Sequence, residues 1–573
     1  MYRYIRRRWG HVSIQPILSR VILLFCPLLL LLLAACDSPP TPTVPQRTAT
    51  PPPPTPTVPD RPRSGTITIR LTADAQLNPW FGGFDANTQH VGGVIFSGLT
   101  RLDNHFQPQP DLAESWDVSP DGTALTFHLR RDVLWHDGKP FTSDDVVWSY
   151  RMLKRISAQN TSMLHIQDHI KSVDATDPLS STVRFTLDQR YSPILADLSF
   201  PILPSHILSG TAPEQLEGST FNASPIGTGP FVYSSREPGQ SITLKANEHY
   251  YGGGPLVDRL IFLVAADNGV AEEAVRNTTL SLSQLSPPSA ERLVTEKKGV
   301  RGGAYNELGY DYISFNLRST RPFSDTRVRQ AFAYALDKQG LSFTATGGGG
   351  DPVWSDVNKA SWAYNPDMPQ LNGNPDEARR LLAEAGWTDT NGDGIVDKNG
   401  KPLEVSLYVR TDNDTRRKAA DAMVDPLARV GIRLKVQPAD FDTSIRARIS
   451  PNANPPFDFD AVILGWTRTT PDPDSFALFH SSQIPTQAAP NLLNIAGFQA
   501  PEYDTLSIEG RSTYDPDKRR EIYYRMQTII ADQLPYYFLW AEKFGLAAAS
   551  NLKGDIDFSS PNYLWNVTKW WIE

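Results

Sequence analysis

AVILGWTRTTPDPDSF, residues Ala461–Phe476, decides how this chain is read. Ala461–Leu464 is an unbroken apolar run, which reads as a strand buried on both faces. The next residues cannot continue a strand, because Gly465 frees the backbone and Pro471 and Pro473 remove hydrogen-bond donors. The strand therefore delivers an indole (Trp466), a guanidinium (Arg468) and two carboxylates (Asp472 and Asp474) to its own C-terminal end. In open α/β sheets that end is where ligands bind. The competing reading is a plain strand exit with a solvated acidic turn, so the rest of the chain has to decide between them.

Outward from this stretch, strands alternate with helices. Thr66–Leu71, Thr123–Leu129, Val183–Leu187 and Ile313–Leu317 carry apolar residues at every second position. Leu403–Val409 and Ile432–Val436 read as strands around a helix. Val91–Leu99 reads as a helix, and Ser143 caps another. Ser324 and Asp325 open a helix whose Val328, Ala331, Phe332, Ala335 and Leu336 fall on one face. Asn374-Pro375 opens a second, with Ala378, Leu381, Leu382 and Ala385 inward. Asp515-Pro516 starts a long one with Ile522, Met526, Ile529 and Ile530 inward. This is an α/β body. Ile226–Phe231, IGTGPF, is a tight glycine turn and not a phosphate loop, since it lacks a Gly-Lys-Ser/Thr ending.

At 573 residues the chain is too long for one core. Its net charge is −8, and residues 1–36 contain five arginines and no acid. Without that segment, 50 basic residues face 63 acidic ones. So acidic a body lacks the basic footprint that nucleic acid requires. The two cysteines, Cys26 and Cys36, both lie at the front, which leaves the body without a disulfide, a thiolate metal site or a cysteine nucleophile.

The front itself has a basic start, an apolar run at Val21–Leu33 and the ending Leu33-Ala34-Ala35-Cys36. That is the pattern of an export signal, and it is shorter than the ~20 residues a spanning helix needs. The ending resembles a bacterial lipoprotein signal, in which the cysteine, here Cys36, is lipidated and becomes the new N-terminus. Ser38–Ser64 is dense in proline and cannot build a core. As polyproline II it would span up to ~80 Å.

Five segments together resemble one family: DLAESWDVSPDGTALTFHLRRDVLWHDGKPFTSDDVVWSY (Asp111–Tyr150), IGTGPF, ISFNLRSTRPFSDTRVRQAFAYALDKQGL (Ile313–Leu341), NPDEARRLLAEAGWTDTNGDGIVDKNGKPL (Asn374–Leu403), and the opening stretch with GFQAPEYDTL behind it. The family is the large solute-binding proteins of ATP-driven importers, the peptide/nickel class with oligopeptide- and dipeptide-binding members. The resemblance implies a two-lobed periplasmic-binding-protein fold of type II with an extra inserted domain. After a signal (1–36) and a linker (37–64), lobe I would comprise 65–101, 226–312 and 531–573. The inserted domain would be 102–225 and lobe II 313–530, with crossings near Tyr310–Ile313 and Ile530–Leu534. It further implies a lipid-anchored, extracytoplasmic monomer, at the periplasmic or outer cell surface. Such a protein would close on a peptide or other polar solute and present it to permease subunits. It would not be an enzyme, and no nucleophile motif or dinucleotide fingerprint argues otherwise. A binder of oligosaccharide or metal chelate, or a sensory lipoprotein, remains an alternative.

In dipeptide-binding relatives the opening stretch runs Gly-Trp-Thr-Gly-Asp, and its aspartate pairs with the peptide amine. Here Arg468 and Thr469 replace the Gly-Asp pair, so the anchoring carboxylate is missing. Asp472 is the acid left to take its place, and Arg468 suits a carboxylate or phosphate unless it pairs with Asp472 or Asp474. Trp466, Trp354, Trp362 and Trp80 lie in or beside loops, where aromatic faces would meet a ligand. Asp389, Asn391, Asp393 and Asp397 match the first ligand positions of a calcium loop, but Gly400 stands where the bidentate acid belongs. They form a candidate structural calcium site, and no other cofactor is expected. His165 and His169 lack the acid of a zinc helix and read as a solvated face.

Overall fold

In the computed structural model, the described residues are 63–81, 85–157, 168–176, 181–466 and 470–573. Cys36, the proline-rich segment, residues 82–84, His165, Arg468 and Thr469 lie outside them.

The strand Ala461–Trp466 is the middle of a five-stranded sheet. Ala461, Val462 and Ile463 are fully covered, as the apolar run requires. On one side it runs parallel to Glu404–Arg410, which in turn pairs in parallel with Arg433–Ala439. On the other side it runs antiparallel to Tyr310–Phe315, and Tyr536–Phe538 closes that edge. The helices over this sheet begin where their caps say. The Asp325 side chain accepts from the Arg327 amide at 3.0 Å, and Asn374 from the Glu377 amide at 3.1 Å. Asn413 does the same for Asp414–Ala428. Phe332, Leu336, Leu381, Leu382, Met423 and Leu427 fill the core beneath them.

Gly465 sits where no side chain fits. A Cβ there would lie 2.1 Å from the Arg416 guanidinium and 2.4 Å from the Asp311 carboxylate. Those two groups form an ion pair across the end of the strand at 2.6 Å.

A second sheet of eight strands, among the described residues, is assembled from distant parts of the chain. Thr66–Leu71 runs parallel to Arg259–Val264, and Trp540–Ala548 is inserted between Leu282–Leu285 and Arg301–Asn306. A third sheet, antiparallel, takes Ala113–Val118, Ala124–Leu129, Thr182–Leu187 and Ile170–Ala175. The chain leaves the eight-stranded sheet after Asn306 and enters the five-stranded one at Tyr310. It returns between Phe538 and Trp540. The return expected near Ile530–Leu534 therefore comes later. Tyr536–Phe538 still pairs with Tyr310–Phe315, so the crossing falls at Leu539. The helix expected over Val91–Leu99 runs Ala86–Ile95 instead, because the Asp85 side chain caps it early, on the Thr88 amide.

His136 ties the third sheet's neighbourhood to the IGTGPF turn. Its amide donates to the Gly227 carbonyl at 2.9 Å, its Nδ1 accepts from the Gly227 amide at 3.1 Å, and its Nε2 meets the Gly229 carbonyl at 3.0 Å. Both glycines press on the end of the helix Ala86–Ile95. A Cβ on Gly227 would lie 1.9 Å from the Ile95 carbonyl oxygen. Burial pushes the His136 pKa down to about 4, so the ring is neutral near pH 7.

Candidate functional site

The end of the helix Pro501–Ser512 and the residues just after it pack onto Arg190–Ser192. The Ser192 amide donates to the Arg511 carbonyl at 2.7 Å, and Arg190 Nε to the Ser512 carbonyl at 3.2 Å. The Tyr514 hydroxyl donates to the carbonyls of Gly122 and Tyr191. Further along, the Trp362 amide donates to the His105 carbonyl at 2.9 Å. These contacts close a seam at the C-terminal end of the strand.

Two arginines neutralise the carboxylates of the loop leaving Ala461–Trp466. Arg519 grips Asp472 through both nitrogens, Nη1 to Oδ2 at 2.7 Å and Nη2 to Oδ1 at 2.8 Å. Each of the two residues is only 5% exposed. Arg519 also donates to the Gly510 carbonyl and the Tyr523 hydroxyl. Burial opposes its charge, but Asp472, Tyr523 and Asp474 together outweigh that and raise its pKa. Asp474 pairs with Arg511 at 3.0 Å, and the Arg511 guanidinium lies over the rings of Phe476 and Tyr191. Burial still raises the Asp474 pKa, with Arg511 opposing it.

Two further carboxylates meet no cation in salt-bridge range among the described residues. Asp356 accepts from the hydroxyls of Ser475 and Ser355, and burial raises its pKa. Asp197 closes the short helix Ile194–Asp197 and faces Asp472, Asp474 and Arg519 across the seam. Its Oδ2 is sealed from solvent without a hydrogen-bond partner. Burial, then Asp472 and Asp474, raise its pKa well above the usual carboxylate range.

Aromatic rings wall the same region. Trp466 packs with Tyr310, Tyr312, Tyr503, Tyr523, Tyr536 and Phe538. Among the described residues, the Trp362 indole N–H, the Tyr310 hydroxyl and Arg511 Nε are buried without partners, while the Trp466 indole lies against the Tyr312 hydroxyl. A cavity of about 290 Å³ begins at Pro471 and Ser199 and extends to Arg101, Asp111 and Asn562. On its wall, burial pushes the Asp111 pKa up to about 6, against a hydrogen bond from Tyr251.

The structure sorts the residues singled out in the sequence. Trp466 and Trp362 come together at the seam. Trp354 stands apart, stacked under the Lys338 ammonium at 3.8 Å, and burial drives that ammonium's pKa well below its usual range. Trp80 is a core residue: it is fully covered and its indole donates to the Pro201 carbonyl at 2.9 Å. Both Asp472 oxygens accept from Arg519, and Oδ1 also accepts from the Asp474 amide. Asp472 and Asp474 pair with Arg519 and Arg511, and Arg468 lies outside the described residues.

The calcium-like loop is knit together by its own hydrogen bonds. Asp389, Asn391 and Asp393 accept from amides of the loop itself, and Asp397 accepts from Thr390. No group of three or more acidic, histidine or cysteine side chains among the described residues is placed to hold a metal ion. Sequence reasoning missed Arg511, Arg519, Asp356 and Asp197. Asp197 left one signal, a lone acid inside the apolar run Ile194–Phe200.

Known proteins resemble this chain over most of its length. Residues 107–486 match the family described as bacterial extracellular solute-binding proteins, family 5 (middle region). The chain is 30% identical over 521 residues to the oligopeptide-binding protein AppA of Bacillus subtilis, covering 89% of this chain and 92% of that protein. It is 28% identical over 460 residues to the dipeptide-binding protein of Escherichia coli, covering 74% and 79%. Among solved structures, the B. subtilis AppA complex with a nonapeptide aligns over 90% of this chain and all of that one, with a TM-score of 0.62 at 29% identity. NikZ of Campylobacter jejuni, in complex with Ni(L-His), aligns over 88% and 99%, with a TM-score of 0.63 at 28% identity.

Proposed function

The chain belongs to family 5 of the bacterial extracellular solute-binding proteins, and from that premise we propose that it captures a peptide between two lobes and delivers it to the permease of an ATP-driven importer. Lobe I is built on the eight-stranded sheet, lobe II on the five-stranded one, and the third sheet forms the inserted domain. The observation that carries this reading is the seam at the end of Ala461–Trp466. Buried polar atoms are nearly always partnered. Here, among the described residues, Trp362 Nε1, Arg511 Nε and Asp197 Oδ2 are buried around one seam without partners. Donors and an acceptor left open together are what a polar ligand with both kinds of group would satisfy. The likeness to AppA, whose solved complex holds a nonapeptide, supports a peptide as that ligand.

A metal chelate is the second reading, favoured by the likeness to NikZ bound to Ni(L-His). A melting screen separates them. A ligand at 100 times its Kd adds about 2.7 kcal/mol, a shift that is easily seen. Mixed short peptides are expected to raise the melting temperature, while nickel–histidine and maltooligosaccharides leave it unchanged. The reverse pattern would overturn the peptide reading.

The export signal and proline-rich segment support lipidation at Cys36 and tethering of a monomer at the extracytoplasmic face of the membrane. No helix among the described residues is long and apolar enough to cross a membrane. Cys36→Ser is expected to move the protein from the membrane fraction to the soluble fraction. Retention in the membrane would count against the anchor.

A further inference from the structure

Charge does not balance at the seam. Around Asp197, among the described residues, the carboxylates of Asp472 and Asp474 meet the guanidinium groups of Arg511 and Arg519. Arg519 is spent on Asp472, and Arg511 on Asp474. The other polar neighbours are phenols, which supply no positive charge: Tyr191 bonds to Asp197, and Tyr150 lies within its field. His169 meets Arg511 but already pairs with Asp188. Among the described residues, Asp197 is thus left with one oxygen unpartnered, while the residue as a whole is half-buried. An unpaired carboxylate in such a place is stable only when something positive, or a proton, joins it.

We propose that Asp197 is the receptor for a ligand ammonium group, set on the wall opposite the loop where dipeptide-binding relatives carry their anchoring aspartate. This rests on the reading of the seam as a ligand cleft. It explains how a chain with Thr469 at the usual anchoring position and Asp472 locked to Arg519 still presents a carboxylate to an amine. It also sets the direction of pH dependence. Without ligand, a proton fills the place of the cation, so protons and ammonium compete. Affinity for an ammonium ligand falls as pH drops through the range in which Asp197 takes up its proton.

The test uses the purified full chain and five-residue peptides of Gly, Ala, Ser, Phe and Leu in three pools. One pool has free amines, one is N-acetylated, and one is N-acetylated with a single lysine. Wild type is expected to bind the free-amine pool at least tenfold more tightly than the acetylated pool. Asp197→Asn is expected to lose that preference, and Asp197→Glu to recover part of it. Recovery by the lysine pool identifies any ammonium as sufficient, and its failure restricts the site to the α-amine. Equal binding of free and acetylated pools by wild type, or an undiminished preference in Asp197→Asn, overturns the proposal. A second probe does not depend on peptides. Benzylammonium, and not benzyl alcohol, is expected to raise the melting temperature of wild type but not of Asp197→Asn. If peptides fail and benzylammonium succeeds, the peptide reading falls and the cation site stands. If peptides bind but amine and charge make no difference, the cation site falls alone.

Discussion

Asp472 and Asp197 face each other across one seam and have opposite fates. Asp472 stands in a conspicuous acidic loop, yet its charge is fully used by a bidentate arginine. Asp197 stands in an apolar run, yet it is the carboxylate with an oxygen left open. The difference teaches that a carboxylate's availability depends on the cation the fold brings to it. Where a guanidinium arrives from a distant helix, the acid becomes part of the frame that shapes the loop. Where none arrives, the acid is left for a ligand.

The largest expected effect comes from removing the cation on the Asp472 side. Arg519→Ala leaves Asp472 buried without a partner, and urea unfolding is expected to show a loss of about 3–5 kcal/mol. Arg519→Lys keeps the charge but not the fork and should fall between the two. A loss under about 1 kcal/mol, the scale of an exposed pair, would show that this one is not part of the frame.

The same contrast extends to a buried base. His136 is held neutral by burial, with its folded pKa near 4 and below its unfolded value. Its contribution is therefore present above about pH 6.5 and lost as pH falls toward 4. Acid titration of stability is expected to cost wild type up to about 3 kcal/mol more than His136→Gln over that window. Parallel curves would contradict the assignment.

At the strand end, Gly465→Ala drives a methyl group into the Arg416–Asp311 pair. The expected destabilisation is about 1–3 kcal/mol, read from a chemical melt. A neutral result would mean that this neutralised pair is free to move aside, unlike Asp472–Arg519.

The smallest effect on stability is expected at Asp197. Its folded pKa is raised, so its contribution is present at low pH and lost as pH rises through the folded value. Asp197→Asn removes that loss. The ligand-free variant is expected to melt about 1–2 °C above wild type near pH 8, with the gap closing in acid. A variant less stable than wild type at that pH would place Asp197 in the frame with Asp472.

Much of this was legible in the chain. The apolar run Ala461–Leu464, the caps at Asp325, Asn374 and Asp515, and the inward face Ile522, Met526, Ile529 and Ile530 all arise from local pattern. Those are short-range signals, and the fold class came with them. The site was only half legible, because its pairs span the chain. Arg519 lies in Lys518-Arg519-Arg520-Glu521, which reads as a solvated helix face. Only the packing of Pro516–Gln533 shows Arg519 turned inward and Arg520 turned out toward Asp517. Asp197 meets, through space, a loop far along the chain at Asp472 and Asp474, a separation that no local pattern encodes. Trp80 misled because a loop tryptophan looks available, while the chain folds back to cover it.

Melting curves near pH 8 for wild type, Asp472→Asn and Asp197→Asn, each with and without the free-amine peptide pool, test the central claim most directly. The account predicts that Asp472→Asn starts lower and keeps its shift on adding peptide. Asp197→Asn should start no lower than wild type and lose its shift. An Asp197→Asn protein that starts lower and still responds fully to peptide would contradict it.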